Sequence, residues 1–349
     1  VIAAGGTGGH FFPAEALAAA LLKRGERVVL MTDARSAAGK SAVFAGCEIH
    51  IVPGAGIAGR SFRRAAAGAV AIARGVLAAR RILAPMSPAA VVGFGGYPAV
   101  APMLAARSLR HRPALILHDQ NAVFGKANRL LAKVADRVAV SFASTAGTLT
   151  GNPVRPAIAA HANAPYGAPV EQINLLVLGG SLGAAAFATL IPEALALLPA
   201  ALRRRIVLTM QCPAQVIEPA RAALAAVDVA ANLAPFFEDV AALLVEAHLV
   251  IARSGGSTVA ELAVIGRPAI LIPLRINDDQ RANADALAAA GGAVRVEQGD
   301  GAGALAGAME TLLADPGRLA EMARAAGAMG ITDAAERLAD LVQSAMVTA

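Results

Sequence analysis

The chain has 349 residues, 56% of them hydrophobic and 16% charged, and a formal net charge of +6. That length is a prior for two domains, and an apolar content sufficient for two cores excludes a disordered chain. Cys47 and Cys212 are the two cysteines and no CxxC occurs, which excludes a disulfide framework and a cysteine zinc site and suits a reducing compartment.

Residues 1–4 form an apolar run ending in Gly5-Gly6-Thr7-Gly8-Gly9-His10, ahead of a helical stretch over 13–24. A glycine-rich turn between a buried strand and a helix lets backbone N–H groups approach an anion. The run does not fit the dinucleotide GxGxxG pattern, because Phe11 occupies the place of the last glycine. Asp33, after a second strand over 28–31, is nevertheless placed like a ribose-binding acid. His10 stands at the helix start, where the dipole favours a neutral ring able to accept a proton. A structural histidine on a ligand-free turn is the plain alternative.

A third strand is expected over 49–52. From Ile49 to His118 there is no Asp or Glu, but nine arginines: Arg60, Arg63, Arg64, Arg74, Arg80, Arg81, Arg107, Arg110 and Arg112. On a helix over 60–83, Arg60, Arg63, Arg64, Arg74 and Arg81 share an arc of roughly 100°, with Phe62, Ile72, Val76 and Leu83 opposite. Gly68 and Gly75 weigh against one continuous helix. This face is either simply solvated or a surface for anionic lipid or phosphate-bearing substrates. Nucleic acid is disfavoured, because stacking aromatics are nearly absent there. Residues 82–106 carry no charge, but Pro85, Pro88, Gly93, Gly95, Gly96, Pro98 and Pro102 break them, so no transmembrane helix is expected.

A strand over 90–93 leads into Gly93-Phe94-Gly95-Gly96-Tyr97 and a helix over 98–109. The next strand, 114–118, leads into His118-Asp119-Gln120-Asn121. Polar side chains past a strand C-terminus point at the ligand crevice of an open α/β sheet, an Asx turn being the alternative. A helix over 125–135 and a strand over 137–140 complete this half. Gly151-Asn152-Pro153-Val154-Arg155-Pro156 then breaks the alternation and 161–169 stays irregular, which places an inter-domain link here.

The alternation resumes with a strand over 173–178 and Gly179-Gly180-Ser181-Leu182-Gly183, where Ser181 either bonds a phosphate or caps the helix. Strands over 206–210, 249–252, 269–273 and 293–296 follow, and 333–346 reads as a closing helix. Arg253-Ser254-Gly255-Gly256-Ser257-Thr258-Val259-Ala260-Glu261 joins a strand to a helix. Thr258 and Glu261 stand at capping-box spacing. Arg253 and the paired glycines suit a diphosphate, and a free Glu261 carboxylate suits ribose hydroxyls. Gln280 and Asn283 are one helical turn apart and are placed to read hydroxyls together. No Walker lysine, HExxH or DxD-type pair occurs near the glycine turns, so no required metal or cofactor is expected. Apolar strands alternating with helices throughout predict an α/β protein with covered parallel sheets.

In this order the segments 5–10, 93–99, 118–121, 150–155, 179–184, 253–261 and 279–284 resemble the MurG family of bacterial UDP-N-acetylglucosamine transferases. The resemblance implies a GT-B fold: two Rossmann-like domains whose parallel sheets face across a cleft. It divides the chain into an acceptor- and membrane-binding domain (1–155, joined by the closing helix, 333–349) and a donor-binding domain (165–331). It implies metal-independent, inverting transfer of N-acetylglucosamine from UDP-GlcNAc to the muramyl 4-hydroxyl of lipid I, giving lipid II. His10 is the implied base. Gly5, Gly6, Gly95, Gly96 and Tyr97 would face the acceptor. Thr7, Gly8, Gly9, Asn121, Arg155, Ser181, Phe237, Arg253, Gly256, Ser257, Thr258, Val259, Glu261, Gln280 and Asn283 would serve the donor.

Three positions depart from the family pattern: Asp119 for Glu, Leu182 for Gln and Asp279 for His. A lipid-borne acceptor implies a peripheral enzyme on the cytoplasmic face of the bacterial inner membrane, docked through the basic half on anionic headgroups, with other cell-wall synthesis and division proteins as further partners. The rival readings are another UDP-sugar enzyme of the same architecture, such as a glycolipid synthase or a UDP-GlcNAc 2-epimerase, and a UDP-sugar-binding protein without turnover.

Overall fold

Apolar strands with helices between them need both sheet faces covered, and the chain achieves this twice. The computed structural model describes residues 1–5, 8–34, 41–53 and 62–348, without the side chains of 62–67, 181–184 and 348. The chain divides into two compact units, Val1–Arg155 with Asp333–Ala349, and Pro156–Thr332.

The first unit runs β1 (Ile2–Ala3), α1 (Gly8–Lys23), β2 (Val29–Thr32), β3 (Glu48–Ile51), α2 (Phe62–Met86), β4 (Ala90–Gly93), α3 (Gly96–Arg107), β5 (Ala114–Asp119), α4 (Lys126–Leu131), β6 (Arg137–Val140) and β7 (Thr148–Leu149). Its described strands form one parallel sheet ordered β3-β2-β1-β4-β5-β6-β7. Along β5 the side chains divide between the faces. Ile116 joins Leu17 and Leu21 of α1, whereas Leu115 and Leu117 join Leu83 of α2 and Met103 of α3. The closing helix returns to this unit from the other end of the chain, bringing Leu338 and Val342 into the α1 face of the core. Arg24, at the end of α1, grips that helix, donating to Asp340 at 2.7 Å and Gln343 at 2.8 Å and pairing with Glu336.

Helix α2 runs unbroken through both glycines that weighed against it. A Cβ on Gly75 would stand 2.5 Å from the Pro53 carbonyl oxygen, so this glycine is there for close backbone approach. Arg74, Arg80, Arg81, Val70 and Leu77 are exposed on it, while Leu83 is buried. Arg60, Phe62, Arg63 and Arg64 lie outside the described residues or side chains. No helix among the described residues is long and apolar enough to cross a membrane.

The second unit runs α5 (Pro156–Ala159), β8 (Ile173–Leu178), α6 (Gly180–Leu197), α7 (Ala200–Arg203), β9 (Ile206–Gln211), α8 (Ile217–Ala225), β10 (Ala230–Ala234), α9 (Val240–Glu246), β11 (Leu249–Ala252), α10 (Gly256–Ile265), β12 (Ala269–Leu271), α11 (Asp278–Ala289), β13 (Ala293–Arg295), α12 (Gly301–Leu313) and α13 (Pro316–Met329). The final α14 (Ala334–Thr348) is the closing helix of the first unit. The second sheet is also parallel, ordered β10-β9-β8-β11-β12-β13. Its core gathers Ile173, Leu175 and Val177 of β8 with Phe187 and Ile191 of α6 and Leu305 and Met309 of α12.

Arg267 is fully buried in this unit. Its guanidinium donates to the carbonyls of Leu244 and Val245 at the end of α9, of Ile265 and Gly266 at the end of α10, and of Ala164 and Pro165. A cation at two helix C-termini satisfies carbonyls that neither helix can satisfy itself.

Candidate functional site

In each sheet the strand order reverses once, between β1 and β4 and between β8 and β11. Chains leaving a parallel sheet on opposite sides of such a point open a crevice beyond the strand C-termini. The four loops at these points are the four glycine-rich segments of the sequence.

In the first unit, Gly5 lies against the end of β2, where a Cβ would stand 2.9 Å from Thr32 Oγ1. Gly8 packs under the Phe12 ring, with 2.7 Å for the same test, while Gly9 is exposed. Gly6 and Thr7 lie outside the described residues. Helix α1 begins at Gly8, earlier than its apolar pattern suggests, so His10 falls in its first turn. Across the switch point, Gly95 and Gly96 have φ of 83° and 66°, a left-handed backbone that only glycine takes at little cost. Gly96 lets the loop approach the His10 ring: a Cβ there would be 3.2 Å from both Nε2 and Cδ2. Tyr97 follows, half-buried, at the start of α3.

The end of β5 supplies the next layer. Asp119 is fully buried, and its carboxylate accepts from the Asn121 backbone N–H at 2.8 Å and from Asn128 Nδ2 at 2.7 Å. The first bond is an Asx turn, so this carboxylate shapes its own loop, and the shorter side chain suffices for that. Asn128 in turn packs on Gly95, 2.6 Å from where a Cβ would be. Gln120 bridges two imidazoles, with Oε1 2.8 Å from His10 Nδ1 and Nε2 3.0 Å from His118 Nδ1. His118 Nε2 lies 2.9 Å from the Gly151 carbonyl. Burial pushes the His118 pKa down to about 4, with a small contribution from His10, against the bond to Gly151. The segment 150–155 therefore packs against His118. Arg155 lies over the Phe12 ring at 4.7 Å, and the buried Asn152 amide has no hydrogen-bond partner among the described residues.

In the second unit, α6 and α10 begin at the two sides of the switch point. The α10 N-cap is Gly255 and makes no side-chain cap bond. The capping-box expectation for Thr258 and Glu261 therefore fails: Thr258 lies inside the first turn, and Glu261 is a buried carboxylate one turn further on. The first intrahelical bond runs from the Val259 N–H to the Gly255 carbonyl, so the amides of Gly256, Ser257 and Thr258 precede the helical ladder. The Ser181 and Leu182 side chains lie outside the described ones.

Arg253 and Asn283 both lie in the interior of this unit. Arg253 is 4% exposed, donates to the carbonyl of Ile272 and to Gln298 Oε1, each at 2.9 Å, and stacks on Phe187 at 4.6 Å. It braces the loops after β12 and β13. Asn283 is fully buried and donates to the Ser254 carbonyl at 3.0 Å. Ser254, overlooked in the sequence, closes the same clasp by donating to the Gln280 carbonyl at 2.8 Å. Its signal was its place between a buried arginine and two glycines. Gln280 Oε1 accepts from the Leu274 N–H at 2.9 Å, leaving Nε2 as the donor the side chain can offer. Asp279 lies in the first turn of α11, where a carboxylate suits the helix dipole. Phe237 is half-buried in the loop between β10 and α9, beside an exposed Phe236.

Residues 1–140 match the glycosyltransferase family 28 N-terminal domain and residues 174–338 the glycosyltransferase family 28 C-terminal domain. The chain is 62% identical, over 99% of its length and 96% of the relative's, to the UDP-N-acetylglucosamine–N-acetylmuramyl-(pentapeptide) pyrophosphoryl-undecaprenol N-acetylglucosamine transferase of Acidiphilium cryptum. It is 54% identical to the enzyme of the same name from Granulibacter bethesdensis, over 100% of this chain and 94% of that one. The crystal structure of Acinetobacter baumannii MurG superposes with a TM-score of 0.80 at 31% identity, covering 98% of each chain.

Proposed function

The chain belongs to glycosyltransferase family 28, among its MurG transferases, and from that membership we infer the reaction it carries out. It transfers N-acetylglucosamine from UDP-GlcNAc to the muramyl 4-hydroxyl of lipid I, with inversion, forming lipid II for peptidoglycan. The observation that carries this is identity above half, spread over essentially the whole length, to relatives bearing that name.

The residue roles are our proposal. The amides of Gly256, Ser257 and Thr258 at the start of α10, with Gly179–Gly183 at the start of α6, hold the UDP diphosphate. Glu261 takes the ribose hydroxyls, Gln280 Nε2 a sugar hydroxyl, and the backbone at Phe237 the uracil. Arg253, Ser254 and Asn283 support these groups without touching the donor. In the first unit, Gly95, Gly96 and Tyr97 receive the acceptor, and Asn121 and Arg155 assist the donor. As the 4-hydroxyl oxygen bonds to the anomeric carbon, His10 takes the hydroxyl proton. The bond from that carbon to the phosphate oxygen breaks, and its electron pair leaves on UDP.

The acid-free basic stretch gives this unit a docking surface for anionic headgroups, with Arg74, Arg80 and Arg81 exposed on α2 beside Val70 and Leu77. Such docking places the enzyme peripherally on the cytoplasmic face of the inner membrane, within reach of other cell-wall synthesis and division proteins. The test is UDP release from UDP-GlcNAc with and without a soluble lipid I analogue, in EDTA. Acceptor-dependent release supports the transferase; tight donor binding without release would refute it in favour of a sensor. Reversing Arg74, Arg80 and Arg81 should weaken binding to anionic vesicles, and unchanged binding would remove the docking surface.

A further inference from the structure

His10 is joined to the interior by a chain of bonds whose polarity is fixed from its far end. A carbonyl only accepts, so His118 Nε2, 2.9 Å from the Gly151 oxygen, carries a hydrogen. A fully buried neutral imidazole has one proton, so His118 Nδ1 bears a lone pair. The group 3.0 Å from it is therefore the Gln120 amide nitrogen, which also donates to the His118 carbonyl at 3.1 Å. Both amide hydrogens are thus used, and Oε1 faces His10 Nδ1 at 2.8 Å. An amide oxygen only accepts, so His10 Nδ1 carries the hydrogen. The lone pair of neutral His10 is then on Nε2, on the side where Gly96 approaches the ring.

We propose that Gln120 and His118 are positioning residues that set the His10 tautomer, so that Nε2 is the atom that takes the acceptor proton. Neither touches substrate. The Gly151 carbonyl anchors His118, His118 orients the Gln120 amide, and Gln120 orients and polarises His10. When Nε2 takes the hydroxyl proton, Gln120 Oε1 keeps the Nδ1–H bond and stabilises the imidazolium. A ring held in the wrong tautomer would present N–H to the hydroxyl and could not act as base. The catalytic half of this inference rests on His10 being the base; the tautomer itself does not.

The experiment is histidine ¹⁵N NMR on the full chain, with the signals of its six histidines assigned by single variants, alongside steady-state kinetics. Wild type should show His10 with Nδ1 protonated and Nε2 bare. Gln120→Leu should move His10 toward the Nε2–H form and lower kcat about 10- to 100-fold, with KM for UDP-GlcNAc changed less than about twofold. Gln120→Glu keeps the acceptor, and should retain the Nδ1–H form and more of kcat than the leucine variant. A wild-type His10 protonated on Nε2 overturns the inference without any variant, as does a leucine variant with an unchanged tautomer. A leucine variant that switches tautomer yet turns over like wild type would uphold the relay and remove His10 as base.

Discussion

Gly96→Ala puts one methyl group against the ring on which the proposed chemistry turns. Gly96 has φ of 66°, and an L-residue there costs about 1–2 kcal/mol. The added Cβ would also lie 3.2 Å from His10 Nε2 and Cδ2, so either the loop or the ring must give by a few tenths of an ångström. The ring is tethered by its 2.8 Å bond to Gln120, and the Gln120 amide is tied to His118. The strain falls on the loop and on Nε2 alike. For a unit of this size the backbone term alone lowers Tm by about 2–8 °C. A misplacement of about 1 Å can cost a hundredfold in rate, so a shift of a few tenths should lower kcat about tenfold. Both are read on one preparation, Tm by circular dichroism and kcat by acceptor-dependent UDP release. A variant with the lowered Tm and a kcat within about twofold of wild type would refute the reasoning, because Nε2 would then tolerate displacement.

Other outcomes are as definite. His118 is held near pKa 4 in the fold against 6.5 unfolded. The unfolded chain therefore binds the extra proton, and stability present above pH 6.5 is lost as pH falls toward 4, by about 3 kcal/mol in all. Urea melts across this range should show that slope in wild type and lack it in His118→Gln; equal slopes would sink the assignment. Arg267→Met strands carbonyls at two helix ends and should cost the second unit about 3–5 kcal/mol in denaturant melts. Arg267→Lys should recover only part, since one ammonium cannot reach six carbonyls, and full recovery would contradict that geometry. Glu261→Gln should weaken UDP-GlcNAc binding about 10- to 100-fold by calorimetry if the carboxylate takes the ribose hydroxyls. Unchanged affinity would move that contact elsewhere.

The strands over 90–93, 137–140, 173–178 and 249–252 were readable to the residue, because β4 and β11 are buried apolar runs and β6 and β8 are largely apolar stretches bounded by Asp136 and Ser141 and by Gln172 and Gly179. β10 was missed. Its sequence, Ala-Ala-Asn-Leu-Ala, lacks β-branched residues, and it is a strand because its backbone pairs with β9 at the sheet edge. β7, two residues long at the edge of the other sheet, is too short to show a period and is a strand because its backbone pairs with β6. Around the site, residue types at motif spacing marked the loops, but side chains of one type were put to opposite uses. Arg253 and Asn283 carry ligand-type groups and brace their loops from buried positions, Ser254 drew no role and ties its loop to α11, and His118 and Gln120, read as facing the ligand crevice, are bonded to each other and to the loops around them.

The sequence by itself determined the alternation of elements, the glycine turns at the strand ends and the family, because these depend on local apolar period, backbone freedom and residue identity in order. Only the tertiary structure decided that β1 neighbours β4 and β8 neighbours β11, which turns four separate glycine loops into two crevice mouths. It alone decided which nitrogen of His10 carries the proton. That depends on a carbonyl at Gly151, 141 residues along the chain, reached through two side chains. Hydrogen-bond polarity passes through space from one fixed acceptor to the next, and no spacing along a sequence encodes it.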